Sequence, residues 1–375
     1  MDIRAYRIWL SHALSYGSTK VRRIIKHFGT IENFYEQGYK TWSSMGIFTE
    51  RELQAMKEFS VEHAQFQMEY CEKLGQKIYT PESKEYPECL RNISNPPGVL
   101  YVKGTMPNFD DCLAISIIGS RKANESAKKT AFYLGYDLAK KDVIVISGGA
   151  IGGDIEAHKG ALKADGITVC VLPCGINYPY LTQNAKIREE IAERGALISE
   201  YPPDVGVDRG NFEIRNRIMS GLARGVAVTH AGLKSGTMIT VRHALNQGKD
   251  VFAVPGDINN PEAAGTNKMI QDGAKMILCA DDILLEYSGI KFKSPKEMKE
   301  VSVKEEQKIE PDVNLSGDQA LLYEFLTETP VHISEIEKAL SMPTKRILAA
   351  ATELELIGLI VSYSGRRFSR ENAKF

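Results

Sequence analysis

Between Leu113 and Tyr287 short β-branched runs alternate with segments of helical spacing, and few folds accept that alternation. Runs at 113–118, 143–147, 168–172, 196–199, 225–229, 250–254 and 275–278 are each apolar enough to be covered on both faces. Strands of that kind, separated by helices, are βαβ units. The expected class is therefore α/β, with a doubly wound, mainly parallel sheet. Runs at 78–79 and 98–102, joined through turns at Pro81, Pro87, Pro96 and Pro97, are expected to add two more strands.

At 375 residues the chain exceeds one compact domain of about 100–200 residues. From Ile3 to about Leu74 apolar residues recur at helical spacing between Gly and Ser/Thr breaks, so residues 1–75 read as a small helical domain. Within it the piece from Ser15 to Gly29 looks like a helix-hairpin-helix. There a glycine brings backbone amides close to a DNA phosphate; a plain protein-interaction module is the competing reading. Residues 76–290 carry the sheet. Residues 291–317, rich in Lys and Glu, read as a flexible linker, because they bury too little to offset their ordering entropy. Residues 318–375 read as three helices, at 321–326, 333–340 and 344–356, followed by a hairpin with a basic tip. That order resembles a winged helix. The helix from Thr344, with Lys345 and Arg346, would be the recognition helix and Arg366 and Arg367 the wing; duplex DNA and protein contact both remain open.

The content of 43% hydrophobic and 25% charged residues excludes a disordered chain. No apolar run approaches the roughly 18 residues of a membrane span, and a cytoplasmic protein is expected. A net charge of −1 means that any contact with nucleic acid must rest on a local basic surface. The six cysteines form no CxxC pair, so neither a metal site nor a disulfide framework is expected.

Three glycine-containing turns follow strands and open helices. Gly119-Ser120-Arg121 ends the first core strand, Ser147-Gly148-Gly149-Ala-Ile-Gly-Gly-Asp154 follows the second, and His230-Ala-Gly-Leu-Lys234-Ser235-Gly236-Thr237 follows a later one. Such turns expose amides at a helix amino-terminus, which suits a phosphate. A nucleotide and a nucleic-acid backbone fit equally well at this point. Arg209-Gly-Asn-Phe212-Glu-Ile-Arg215-Asn216-Arg217 favours a polymer, since guanidinium groups can hold phosphates while Phe212 stacks on an unpaired base.

Taken in order and spacing, these pieces resemble the DprA/Smf family of DNA-processing proteins, densely over residues 113–285. To those above are added Ala157-His158, Val171-Leu-Pro-Cys-Gly175 with Tyr178-Pro179, Ile198-Ser-Glu-Tyr-Pro202, Ile239-Thr240 and Val251-Phe-Ala-Val-Pro-Gly256. The resemblance implies a Rossmann-like domain with helical (SAM or helix-hairpin-helix-like) and winged-helix extensions. It implies a non-enzymatic homodimer, without cofactor, that holds and protects single-stranded DNA and loads the RecA recombinase on it, chiefly during natural transformation. Carried over by position, the DNA pocket comprises Arg121, Arg209, Phe212, Arg215, Asn216, Arg217 and Lys234, with Ser120, Ser235, Gly236 and the amides of Gly119, Gly148 and Gly149. Ile283, Leu284 and Tyr287 offer a dimer surface, with core packing as the alternative. Two positions depart from the family pattern: His230 replaces a usual acidic residue, and Glu213-Ile214 stand where a proline is common.

The competing class is a phosphoribohydrolase-like enzyme, whose fold also carries a Gly-Gly phosphate loop and a Gly-Thr turn. Hydrolysis needs a carboxylate near that turn, yet Thr237 is followed by Met238-Ile-Thr-Val241. Asp154 and Glu200 are the carboxylates left for such a role.

Overall fold

The computed structural model describes residues 2–14, 16–296, 317–327, 330–356, 359–363 and 365–370. Two compact units divide the chain, Met1–Val303 and Lys304–Phe375.

In the first unit nine strands form one sheet: β1 Gln76–Tyr79, β2 Leu100–Gly104, β3 Ala114–Gly119, β4 Ile144–Ser147, β5 Thr168–Leu172, β6 Ala196–Ser199, β7 Gly225–His230, β8 Asp250–Ala253 and β9 Lys275–Met276. Their order is β1-β2-β6-β5-β4-β3-β7-β8-β9. Every pair from β6 across to β9 is parallel, whereas β1 and β2 add antiparallel pairs at one edge. The core strands lack polar alternation because both of their faces are covered. Ile144 and Ile146 enter one apolar cluster with Val169, Val171, Val226 and Val228, while Val143 and Val145 point the other way, towards Ile115, Ile117 and Phe252. The helices Glu125–Lys140 and Gly153–Lys163 lie so close that a Cβ at Gly135 would strike the Ala157 carbonyl, and one at Gly160 the Phe132 carbonyl. The chain runs outward from β3 to β6 and returns beside β3 as β7. The strand order reverses there.

Residues 1–75 are helical, as expected, and lie in the same compact unit as the sheet. Their six helices, from Ile3–Ala13 to Val61–Lys73, bury Trp9, Phe34 and Trp42 in a cluster that continues into Ile78, Tyr101, Cys170, Leu172 and Leu197 of the sheet. Short amphipathic helices of this length need an apolar face to pack on, and the β1-β2-β6-β5 side provides it.

Of the expected linker, residues 291–296 are described. Phe292 packs on the core, and Lys293 bonds Asp111 through both its amide (3.0 Å) and its ammonium (2.7 Å). Residues 297–316 lie outside the described residues. The second unit contains helices Asp318–Phe325, Ile333–Leu340 and Thr344–Leu356, with β10 Val331–His332, β11 Ile360–Tyr363 and β12 Arg367–Arg370 in the order β10-β12-β11. Leu322, Ile336, Ile347, Leu354 and Phe368 form its core. This is the order of a winged helix.

Candidate nucleic-acid interface

The crossover from β6 to β7 is the helix Arg209–Leu222, begun by Asp208, whose carboxylate accepts the Gly210 N–H at 2.8 Å. Its amino-terminus reaches the carboxyl edge of the sheet beside β3 and β7, the place where a doubly wound sheet holds its ligands. A cleft of about 780 Å³ opens there. The turn after β3 supplies Gly119, Ser120, Arg121 and Lys122; the crossover helix supplies Arg209, Phe212, Glu213, Arg215 and Asn216; the turn after β7 supplies Lys234, Ser235 and Gly236.

Helical spacing explains which residues of the crossover helix face the cleft. Phe212, Asn216 and Met219 lie on one stripe, and Arg209 continues it towards the amino-terminus. Phe212 is half-buried, edge-on to Tyr180 at 6.2 Å, and the Arg121 guanidinium lies over its ring at 4.5 Å. Arg121, Lys122, Arg209 and Lys234 are exposed cations around the mouth, against which stand Glu213 and the half-buried Glu262. Lys122 and Glu262 were not foreseen. Lys122 directly extends the Gly-Ser-Arg turn, whereas Glu262 arrives on a loop without a motif.

Two groups of expected pocket residues are used up inside the protein. Gly148 and Gly149 are buried and do not line the cleft. The anion held by the glycine turns is the chain's own: Asp154 accepts the Gly119 N–H at 3.3 Å and is further held by the amides of Gly148 and Ala150. Burial pushes the Asp154 pKa up, and Arg215 beside it opposes that rise. Arg215 is itself buried at the back of the cleft, donating to the carbonyls of Gly148 (2.8 Å) and Val171, and burial pulls its pKa down. It shapes the floor. Arg217 faces away from the cleft and forms a buried ion pair with Glu200 at 2.8 Å. Five residues beyond Phe212 is about 140° further round the helix, so Arg217 cannot share its face. The carboxylates Asp154 and Glu200 accordingly do not converge on one site.

Residues 77–288 match the family described as DNA recombination-mediator protein A. The chain belongs to this family. Residues 306–366 match the DprA winged helix domain. The DNA processing protein DprA of Bacillus subtilis is 39% identical over 204 residues, 54% of this chain and 69% of its own length. The X-ray structure of DprA from Streptococcus pneumoniae superposes with a TM-score of 0.66 at 26% identity, covering 76% of this chain and 99% of that one. A Helicobacter pylori DNA processing protein A structure, described for its unique single-stranded DNA binding mode, gives 0.51 at 33% identity, covering 57% of this chain and 96% of its own.

The remaining expected sites divide unevenly. In the winged-helix domain of this family member Lys345, Arg366 and Arg367 are exposed, but Arg346 is paired with Asp318 through its Nε at 2.6 Å. Ile283 and Tyr287, expected at a dimer surface, belong to the core; Tyr287 donates its hydroxyl to Asp250 at 2.8 Å, and Leu284 is packed beside them. An apolar helix face can be read from sequence, but not whether the chain itself already covers it. Among the described residues no helix is long and apolar enough to cross a membrane.

Proposed function

We propose that the cleft binds single-stranded DNA, and that the protein protects such strands and loads a RecA-type recombinase on them, as a homodimer and without catalysing a reaction. The observation that carries this reading is the Arg121–Phe212 stack, set between Lys122, Arg209 and Lys234 at the strand reversal. An aromatic face beside exposed cations suits an unpaired base and its phosphates, and a duplex offers no such base. The family's description as a recombination mediator and the single-strand binding of the H. pylori relative support it. A homodimer would use exposed neighbours such as Leu278 and Leu285 in place of the core residues Ile283 and Tyr287. The winged helix, through Lys345, Arg366 and Arg367, would add a weaker duplex contact. Titration of labelled single strands and duplexes should show tighter single-strand binding that falls steeply with salt. On strands coated with single-strand-binding protein, addition of this protein should shorten the lag before RecA hydrolyses ATP. Equal affinity for duplex, or an unchanged lag, contradicts the respective half of the proposal.

A further inference from the structure

Glu200 follows β6 directly and Arg217 lies in the crossover helix, so their ion pair ties the sheet to the helix that carries Arg209 and Phe212. Both are almost wholly buried, at 4% and 5% exposure, and Arg217 Nη2 lies 2.8 Å from each carboxylate oxygen. Covering this pair is the hairpin of the N-terminal helices. A Cβ on Gly17, whose φ is +75°, would lie 3.5 Å from Arg217 Nε, 3.5 Å from Ile214 of the crossover helix and 3.3 Å from Asn95. The Asn95 side chain donates to the Gly17 carbonyl, the Gly17 amide faces the Glu200 carboxylate, and Tyr16 packs on Tyr201 with ring centroids 4.4 Å apart. Arg22, one helix further on, donates to the Ile93 carbonyl at 2.9 Å.

In a helix-hairpin-helix that binds DNA, the glycine amide meets a phosphate. Here the equivalent amide faces an internal carboxylate, the almost wholly buried Glu200. We propose that the Tyr16–Gly17 hairpin is a docking element, and that Arg217 is a positioning residue through which the N-terminal helices brace the crossover helix and hold Arg209 and Phe212 towards the cleft. The brace is a packed path of few members: hairpin, ion pair, helix. A buried ion pair tolerates loss of one partner poorly, since the other is left charged and unpaired, and that makes the path sensitive to a single change.

The DNA readout of the test rests on the cleft being the single-strand site; the exchange readout does not. In the full chain, Gly17→Val puts a branched side chain at a positive φ against Asn95 and Ile214 without touching the cleft. Amides of the crossover helix should then exchange with solvent faster, while the helix Ile3–Ala13 around Trp9 keeps its protection. Affinity for an oligothymidine should fall about 2- to 30-fold, the span usual for coupling along a packed path. Arg217→Met should act in the same direction, and Arg217→Lys, which keeps a cation beside Glu200, should recover part of the loss. Should Gly17→Val fail to fold, Asn95→Leu releases the same hairpin more gently. The proposal is overturned if the hairpin amides are freed but the crossover helix keeps its protection and the affinity is that of the wild type. It is equally overturned if Arg217→Met flattens the salt dependence with unchanged exchange, which would make Arg217 a phosphate contact. A wild-type protein that fails to bind single strands would refute the cleft reading alone, since the exchange comparison still reports the brace.

Discussion

Arg121, from the turn after β3, and Phe212, from the crossover helix, meet in one stack, so their contributions to binding should not be independent. Phe212→Ala removes a stacking face worth about 1–3 kcal/mol and also frees the guanidinium that rested on it. Arg121→Ala removes a phosphate partner, which should lower the single-strand salt slope by about 0.7. In a double-mutant cycle on oligonucleotide affinity the pair should couple by about 0.5–2 kcal/mol, the range of a partly desolvated cation–π contact; strict additivity would mean that the stack plays no part in binding. His158 offers a second measurement at this scale. Its Nδ1 lies 2.7 Å from the Thr168 hydroxyl, which itself donates to the Val145 carbonyl, so Nδ1 is the donor to that hydroxyl. Burial pulls its pKa from 6.5 to about 3. Between those values the unfolded chain binds the proton and the folded chain does not, so this residue makes stability fall as pH drops below about 6.5. The slope approaches 1.4 kcal/mol per pH unit. Denaturant melts of wild type and His158→Gln from pH 7 to 5 should show the loss in the former and a flatter profile in the latter; parallel profiles would refute it. Neither feature could be read from residue types alone. A basic cluster announces phosphate contacts, yet only the helical angle shows that Phe212 faces out and Arg217 inwards, and nothing local reveals that Asp154 takes the glycine amides.

Among the elements, the fully buried strands were the most legible. The runs at 168–172 and 196–199 carry no charged position and end in Pro or Ser-Glu turns, and β5 and β6 keep those bounds. β9 closes two residues short of its expected end because it lies at the sheet edge, where Leu278 is exposed and its amide is taken by Asp282 at 2.7 Å. The helices Glu125–Lys140 and Gly153–Lys163 illustrate what spacing does not announce. Their contact depends on Gly135 and Gly160, at which side chains would enter the facing backbone. Gly160→Ala should therefore lower the melting temperature although alanine favours a helix, at a cost of about 1–3 kcal/mol or more from overpacking. A melting temperature equal to or above that of the wild type would show that these helices separate easily.

Over the whole molecule, a sheet whose order reverses between β3 and β7 gathers two turns and the crossover helix from distant parts of the chain into one cleft, and the near-neutral net charge is thereby reconciled with a local cationic mouth. Packing between distant elements was less legible than strands, because it leaves no local mark: the periodicity of the N-terminal helices does not reveal that they share an apolar cluster with the sheet. The central claim, that this cleft is where single-stranded DNA lies, can be tested by position. A single strand carrying 5-bromouracil is bound to the full-length protein, irradiated, and the attached peptides are identified by mass spectrometry. The account predicts crosslinks in the peptides that contain Arg121 and Phe212, reduced by excess unlabelled single strand and little affected by duplex. Crosslinks confined to residues 2–75 or to the winged-helix residues 317–370 would contradict it.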